Sequence, residues 1–295
     1  MTDLVALQTF VAAARTGSFA AAARRLNVSP ALVGRRIAGL EDGHGARLIE
    51  RTTRSQRLTE LGQAFLIRAE AVLDAAAELD ELTAASPRAL SGRIRVSAPT
   101  TLGIRRLPPL VAAFTETHPQ VVVELSLSDR RVDLITEGFD LAVRIGELQA
   151  SSLIARRTGT YRFVVAAAPS WLEHYPEPRT IAELEQARCI INLNLVPRNR
   201  WPFIGPGGVT HTVEVRGAIE IDNGEALRAA ALAGAGLVYL PLDLIADDIA
   251  EGRLRQVLTH WQTASLPIHI VHPSRRFVPR RVSAFIEALA AGPWG

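Results

Sequence analysis

The residues best placed to do chemistry fall into two groups. The first is Ser18, Ser29-Pro30 and the pair Arg35-Arg36, followed by Arg51-Thr52-Thr53-Arg54. An arginine can grip a guanine edge in bidentate fashion or neutralise a phosphate. The second group is Ser97-Ala98-Pro99-Thr100-Thr101, with Ser128-Asp129 further on. Free amides at a helix start, beside two threonine hydroxyls, suit a carboxylate. Ser128 could equally cap a helix that follows it. Arg144, at the end of an expected strand, could meet an acid ligand, or pair with Asp140 or Asp129.

Other chemistries lack their residues. There is no Gly-x-Ser-x-Gly elbow and no phosphate-cradling Walker loop. Gly234-Ala235-Gly236 lacks the third glycine of a dinucleotide fingerprint, and Gly205-Pro206-Gly207-Gly208 reads as a turn. The seven histidines are scattered, and the single cysteine, Cys189, can form neither an intrachain disulfide nor a Cys-based zinc site. Cys189 is expected to be buried and inert, because a redox sensor would normally carry a resolving cysteine. The chain reads as a non-enzyme with no cofactor.

The elements that must position the first group lie in residues 1–60. Leu4, Leu7, Phe10, Val11 and Ala14 recur at helical spacing, and Gly17 ends that helix. Ser18 is an N-cap for the alanine-rich run 19–26, Asn27-Val28 is a turn, and Ser29-Pro30 is a cap plus a proline at the first helical position. The next helix carries Val33, Ile37 and Leu40 on one face, with Arg35 and Arg36 directed elsewhere. Two short helices around a tight turn, the second bearing arginines, describe a helix-turn-helix whose second helix fits the major groove. The stretch 47–58 reads as a wing, with Arg51 and Arg54 against the DNA backbone or minor groove.

Charge agrees with this placement. The chain has 295 residues and a net charge of +3, and every one of its 33 basic residues is arginine. Residues 1–60 hold nine arginines against five acids, a net +4, while the remainder is −1. The composition, 48% apolar and 21% charged, is that of a globular protein of about two domains. The apolar stretch 229–242 is interrupted by Gly234, Gly236 and Pro241 and falls short of a membrane span, which needs about 20 residues. Asp3, with no basic leader before it, does not read as a signal peptide, so the cytoplasm is the expected compartment.

Residues 61–91 read as a linker. Leu61, Phe65, Ala69, Val72, Ala76 and Leu79 follow near-heptad spacing on a helix whose outer face is acidic. Such a stripe suits packing on the chain's own body or pairing with a second copy, and the latter would set two recognition helices about one DNA turn (~34 Å) or a multiple apart. Ser86-Pro87 ends the helix and Ser91-Gly92 marks a hinge. In residues 92–295, strand-like and helix-like segments alternate, including helices at 107–117 and 131–136 and antiparallel or edge strands at 209–215 and 218–221. That alternation predicts α/β layering with largely parallel strands, and ligands at strand ends between subdomains.

The stretches "LQTFVAAARTGSFAAAARRLNVSPALVGRRIAGLE" and "RLIERTTRSQRLTELG" resemble the N-terminal domain of LysR-type transcriptional regulators. "RIRVSAPTTLG", "ELSLSDRRVDLITEGFDLAVRIG", "AAALAGAGLVYLP" and "HPSRRFVPRRVSAFIEAL" resemble the effector-binding domain of the same family. The resemblance is to the branch with Ser-Pro opening the recognition helix and GFDLAVRIG in the body. It implies an all-α winged helix-turn-helix domain (1–60), a long linker helix (61–91) and an α/β effector domain (92–295). That effector domain is two-lobed and like periplasmic solute-binding proteins, with lobe one at 92–162 and 268–295 and lobe two at 163–267. It further implies a homodimer or homotetramer on an interrupted palindrome of double-stranded DNA, contact with RNA polymerase at the promoter, and no membrane. The effector, with a preference for a small organic acid, would lie at Pro99, Thr100, Thr101, Ser128 and Asp129, with Asn192, Asn194 and Asn223 closing over it. Ala31 and Gly34 stand where the family usually carries small polar or hydroxyl residues that face DNA. His44 stands where a leucine usually packs between helix and wing.

Overall fold

Helix α1 (Leu4–Thr16) starts where the Asp3 carboxylate accepts from the Val5 amide, and it ends at Gly17, whose φ of 64° a glycine adopts without strain. Helix α2 (Phe19–Leu26) is capped by Ser18, and α3 (Pro30–His44) by Ser29. Strands β1 (Ile49–Arg51) and β2 (Gln56–Leu58) pair antiparallel, and α4 (Glu60–Leu82) follows. The computed structural model describes residues 3–51, 56–82, 89–148, 152–263, 265–273 and 278–294. It divides into two compact units: Met1–Leu90 with Asp133–Gly138 and Arg276–Ser283, and Ser91–Val132 with Phe139–Arg275 and Ala284–Gly295.

In the first unit, Leu7, Phe10 and Ala13 of α1 meet Ala22 and Ala23 of α2 and Val33, Ile37 and Leu40 of α3. The alanines let three helix backbones approach closely. Leu48 and Ile49 seal the base of the wing, and Leu66 and Ala69 bring α4 onto the same core.

The second unit begins with β3 (Ser91–Ala98), α5 (Thr100–Thr117), β4 (Gln120–Leu127), β5 (Leu141–Ile145), β6 (Leu153–Ala167) and α6 (Pro169–His174). It continues with β7 (Arg188–Asn192), β8 (Arg200–Ile204), β9 (Thr210–Glu214), β10 (Arg216–Ile221), α7 (Gly224–Leu232), β11 (Val238–Pro241) and α8 (Leu242–Ala250). It closes with β12 (Arg255–Val257), β13 (Gln262–Thr263), β14 (Ser265–Pro273) and, from Ala284 on, α9 (Arg280–Ala290). The main sheet runs β11-β6-β14-β5-β3-β4, with β12 also on β6. This is a two-lobed α/β body, and β6 belongs to both lobes. Its residues 153–162 pair with β14, and its residues 163–167 pair with β11 and β12. Phe114 of α5 meets Phe285 of α9 edge-to-face in the first lobe. In the second lobe α7 and α8 bury Leu227, Leu244 and Ile245 against Val164, Val238 and Leu240.

The structure corrects several expectations. Among the described residues, β3 pairs in parallel with β4 and β5, β10 with β7, and Cys189 bridges Leu237 in parallel, while β14, β6, β11 and β12 pair antiparallel. Long strands that pass between lobes and return cannot all run one way. The segment 218–221 is an edge strand as expected, paired in parallel with β7. No helix forms at 131–136, because the Asp133 carboxylate takes the Ile135 and Thr136 amides and the Thr136 hydroxyl, and local bonds of this kind compete with a helix. The same bonds, the Thr136 hydroxyl first, hold the Asp133 carboxyl below its ordinary pKa. Ser91-Gly92 opens β3, in register with Gln120 and Val121, and the two compact units part at Leu90 and Ser91. Helix α5 starts at Thr100, as expected of a strand end leading into a helix there, so the helix expected at 107–117 is its later part and Pro108-Pro109, which imitate a helix start, lie inside it. Strand β8 escaped the sequence because Pro202 sits in its middle. Ser86-Pro87 lies outside the described residues.

One buried charge holds the second lobe together. Asp248 is fully buried. It accepts from Arg228 Nη2 at 2.7 Å and from Arg253 Nε at 2.9 Å. The Arg228 guanidinium is the main reason that its carboxyl lies below the ordinary value. Its stabilising effect is therefore present above the ordinary carboxylate pKa and is lost as pH falls through the lower folded-state value. Asp248→Asn should lower unfolding free energy by about 2 kcal/mol at neutral pH. The deficit should shrink below about pH 4. Urea denaturation across that range checks this, and equal midpoints at neutral pH would contradict it.

Candidate functional site

The exposed end of α3 is built by its cap. Ser29 Oγ accepts from the Leu32 amide at 3.2 Å, Pro30 occupies the first turn, and both are exposed together with Ala31. Val33, Ile37 and Leu40 face the core, which turns Arg35 to solvent. Ser18 caps α2 through the Ala21 amide at 3.4 Å. Arg36 behaves differently from its neighbour: half-buried, it donates through Nη1 to Thr9 Oγ1 at 3.4 Å. A Cβ at Gly34 would meet the Phe19 ring at 3.8 Å, an ordinary contact, so the backbone leaves room for one.

The wing is held by a residue that the sequence reading did not single out. Glu41, near the end of α3, accepts through one oxygen from the amides of Leu48 at 2.8 Å and Ile49 at 3.0 Å. The Leu48 carbonyl in turn accepts from the Thr59 amide at 3.0 Å, and the Thr59 hydroxyl caps α4 through the Gly62 amide at 2.8 Å. Gly62 is required here, since a Cβ would lie 2.0 Å from the Leu48 oxygen. Arg51 lies on β1 opposite Gln56, and Thr52 and Arg54 fall outside the described residues. Arg24, Arg25, Arg47 and Arg57 are exposed. His44 does not pack between helix and wing. Its Nδ1 bonds the Leu40 carbonyl at 2.8 Å, which sets its ring edge-on to Phe65 of α4 at 5.1 Å.

In the second unit, Pro99 occupies the cap position of α5 and has no side-chain group to offer. Asp129 supplies the cap from the next strand end: its Oδ1 accepts from the Thr100 amide at 2.9 Å. Its Oδ2 accepts from Asn194 Nδ2 at 3.4 Å. Asn194 also donates to the Asp222 carbonyl, and its own amide is fixed by Asn192 Oδ1 at 2.9 Å. Thr101 Oγ1 lies against Gly224 at the start of α7, where a Cβ would approach it to 2.2 Å. Asn223 caps α7 through the Ala226 amide at 3.0 Å. The structure thus gathers Thr100, Thr101, Asp129, Asn192, Asn194 and Asn223 where α5 and α7 begin. Ser128 makes a local turn, accepting from the Arg130 amide, and Arg144 donates to the Val132 carbonyl at 3.0 Å.

Two further features shape this region. Tyr161 is buried, and burial, reinforced by Asp243 and Asp129, raises its phenol well above the ordinary value, so it stays a neutral hydroxyl. Arg106 forks onto Asp243 at 2.7 and 3.1 Å. Only its distance in sequence hid Tyr161 from the reading above. Cys189 is buried in β7, and burial pushes its thiol up to about 12. Among the described residues no group of three or more His, Cys, Asp or Glu is placed to hold a metal, and no helix is long and apolar enough to cross a membrane.

Comparison with known proteins identifies both domains. Residues 4–63 match the family described as bacterial regulatory helix-turn-helix protein, lysR family, and residues 87–293 match the LysR substrate binding domain. An HTH-type transcriptional regulator of Haemophilus influenzae is 31% identical, over 96% of this chain and 98% of its own. The regulator PtxR of Pseudomonas aeruginosa is 35% identical, over 96% of this chain and 90% of its own. Among solved structures, the full-length Vibrio cholerae virulence activator AphB is 30% identical, covers 98% of both chains and superposes with a TM-score of 0.62. A capped recognition helix, a carboxylate-anchored wing and a two-lobed α/β body, matched along nearly the whole length, make this chain a member of the LysR family of DNA-binding transcriptional regulators, which are modulated by effectors and are not enzymes.

Proposed function

We propose that the amino-terminal turn of α3 enters the major groove and reads base edges through Ser29, Pro30, Ala31, Gly34 and Arg35. The solvent exposure of that turn, opposite the buried Val33-Ile37-Leu40 face, is the observation that carries the reading. Arg36 steadies the helix through Thr9 and reaches the backbone. Ser18 and the wing residues Arg51, Thr52 and Arg54 meet phosphate or the minor groove. Two copies pair through α4, as a dimer or a dimer of dimers, and grip an interrupted palindrome. The regulator works in the cytoplasm, in contact with RNA polymerase at the promoter.

The effector lies between the lobes at Pro99, Thr100, Thr101, Ser128 and Asp129, with Arg144 as a cation on the first lobe and Asn192, Asn194 and Asn223 from the second. A small organic acid suits two converging helix starts. Its carboxylate takes the place of Asp129 on the Thr100 amide, which frees Asn194 and alters how the lobes meet. Such a ligand shifts the regulator only by binding one arrangement better than the other.

Arg35→Ala should weaken operator binding by about 1–3 kcal/mol and relax preference at one base pair, whereas Arg36→Ala should weaken all sequences alike. Competition anisotropy with operator and single-base variants separates these. Wild-type affinity in Arg35→Ala would overturn the placement of α3. The control exerted by the effector does not run through thiol chemistry. Cys189 in the native protein should react with a thiol reagent at neutral pH far more slowly than in urea. Equal rates would reopen a redox role.

A further inference from the structure

Helix α4 rests on the head mainly through apolar contacts: Leu66 and Ala69 buried, Phe65 edge-on to Phe10 at 5.3 Å, and Leu73 at the margin. Apolar contact is non-directional, so it holds a helix down without fixing its rotation or its slide. A directional contact is present as well. Arg15, in the last turn of α1, donates through Nε to Glu70 Oε1 at 2.7 Å and through Nη2 to Glu70 Oε2 at 2.7 Å. A bidentate guanidinium–carboxylate pair fixes distance and orientation together. Both side chains keep about a quarter of their surface in water, 25% and 23%, so the pair adds little to stability.

Its place on α4 gives it another use. Leu61, Val72 and Leu79 remain exposed on that helix, separated by eleven and seven residues, spacings that return to one face. We propose that the Arg15–Glu70 pair is a positioning device that fixes how α4 leaves the head, and so sets the half-site spacing a homodimer accepts. The inference rests on the reading that α4 pairs two copies. With its start tied to Leu48 through Thr59 and Gly62, α4 that loses the pair can swing about that point, and the swing moves the head along DNA that steps about 3.4 Å per base pair. A small change at this contact therefore becomes a change of register on DNA.

Selection from a random DNA library by the purified full-length protein tests this, with half-site spacing as the readout. Wild type is expected to enrich one spacing. Arg15→Ala and Glu70→Gln should broaden or shift it by at least one base pair, while melting temperature stays within about 3 °C of wild type. The double variant Arg15→Glu with Glu70→Arg should recover the wild-type spacing. Single variants that select the wild-type spacing as sharply as wild type would overturn the positioning role. Enrichment of lone half-sites by wild type itself would overturn the homodimer reading and this inference with it.

Discussion

The backbone of Leu48 is the point on which the head depends. Its N–H donates to Glu41 of α3, and its carbonyl accepts from the Thr59 amide at the start of the linker helix. One residue thus joins α3, the wing and the linker. Hydrogen bonds to a charged group are worth about 1.5–3 kcal/mol each, and Glu41 accepts two of them through one oxygen. Gly62 is tied to the same point, because any side chain there would strike the Leu48 oxygen. These bonds anchor the end of a helix that carries three glycines, Gly34, Gly39 and Gly43, and that is proposed to read DNA.

The body solves its polar problems in a similar way, with carboxylates reaching across elements. Asp129 caps a helix that Pro99 cannot cap, Asp248 gathers two arginines in the second lobe, and Asp133 captures a turn. Of these, Asp129 has a functional consequence. It links the start of α5 to Asn194, so the group that occupies the helix end is also a group that touches the other lobe. On the proposed reading of the effector site, a ligand that competes for the Thr100 amide competes for the contact between lobes.

Local signals were legible in the sequence. Ser18, Ser29-Pro30 and Gly17 mark helix ends because capping is decided within a few residues, and Val33, Ile37 and Leu40 give the buried face of α3 by spacing alone. Partners far apart in sequence were not legible. Arg35 and Arg36 read alike until Thr9 is seen beside one of them, and Glu41 reads as a surface charge until the wing folds back to it. The stripe on α4 looked continuous, yet Ala69 turns inward to the head while Val72 faces solvent. The error at 131–136 has a different origin: helix propensity was judged without the local bonds that Asp133 makes.

The central claim is that the basic, winged head grips a specific DNA duplex. Fluorescence anisotropy of the full-length protein on the DNA upstream of its own gene, with excess nonspecific competitor and at two salt concentrations, tests it most directly. The account predicts binding that survives competitor and falls by about a thousandfold or more between 50 and 200 mM salt, as expected for six or more phosphate contacts. Binding that competitor erases at every salt concentration would contradict a sequence-reading head on that DNA.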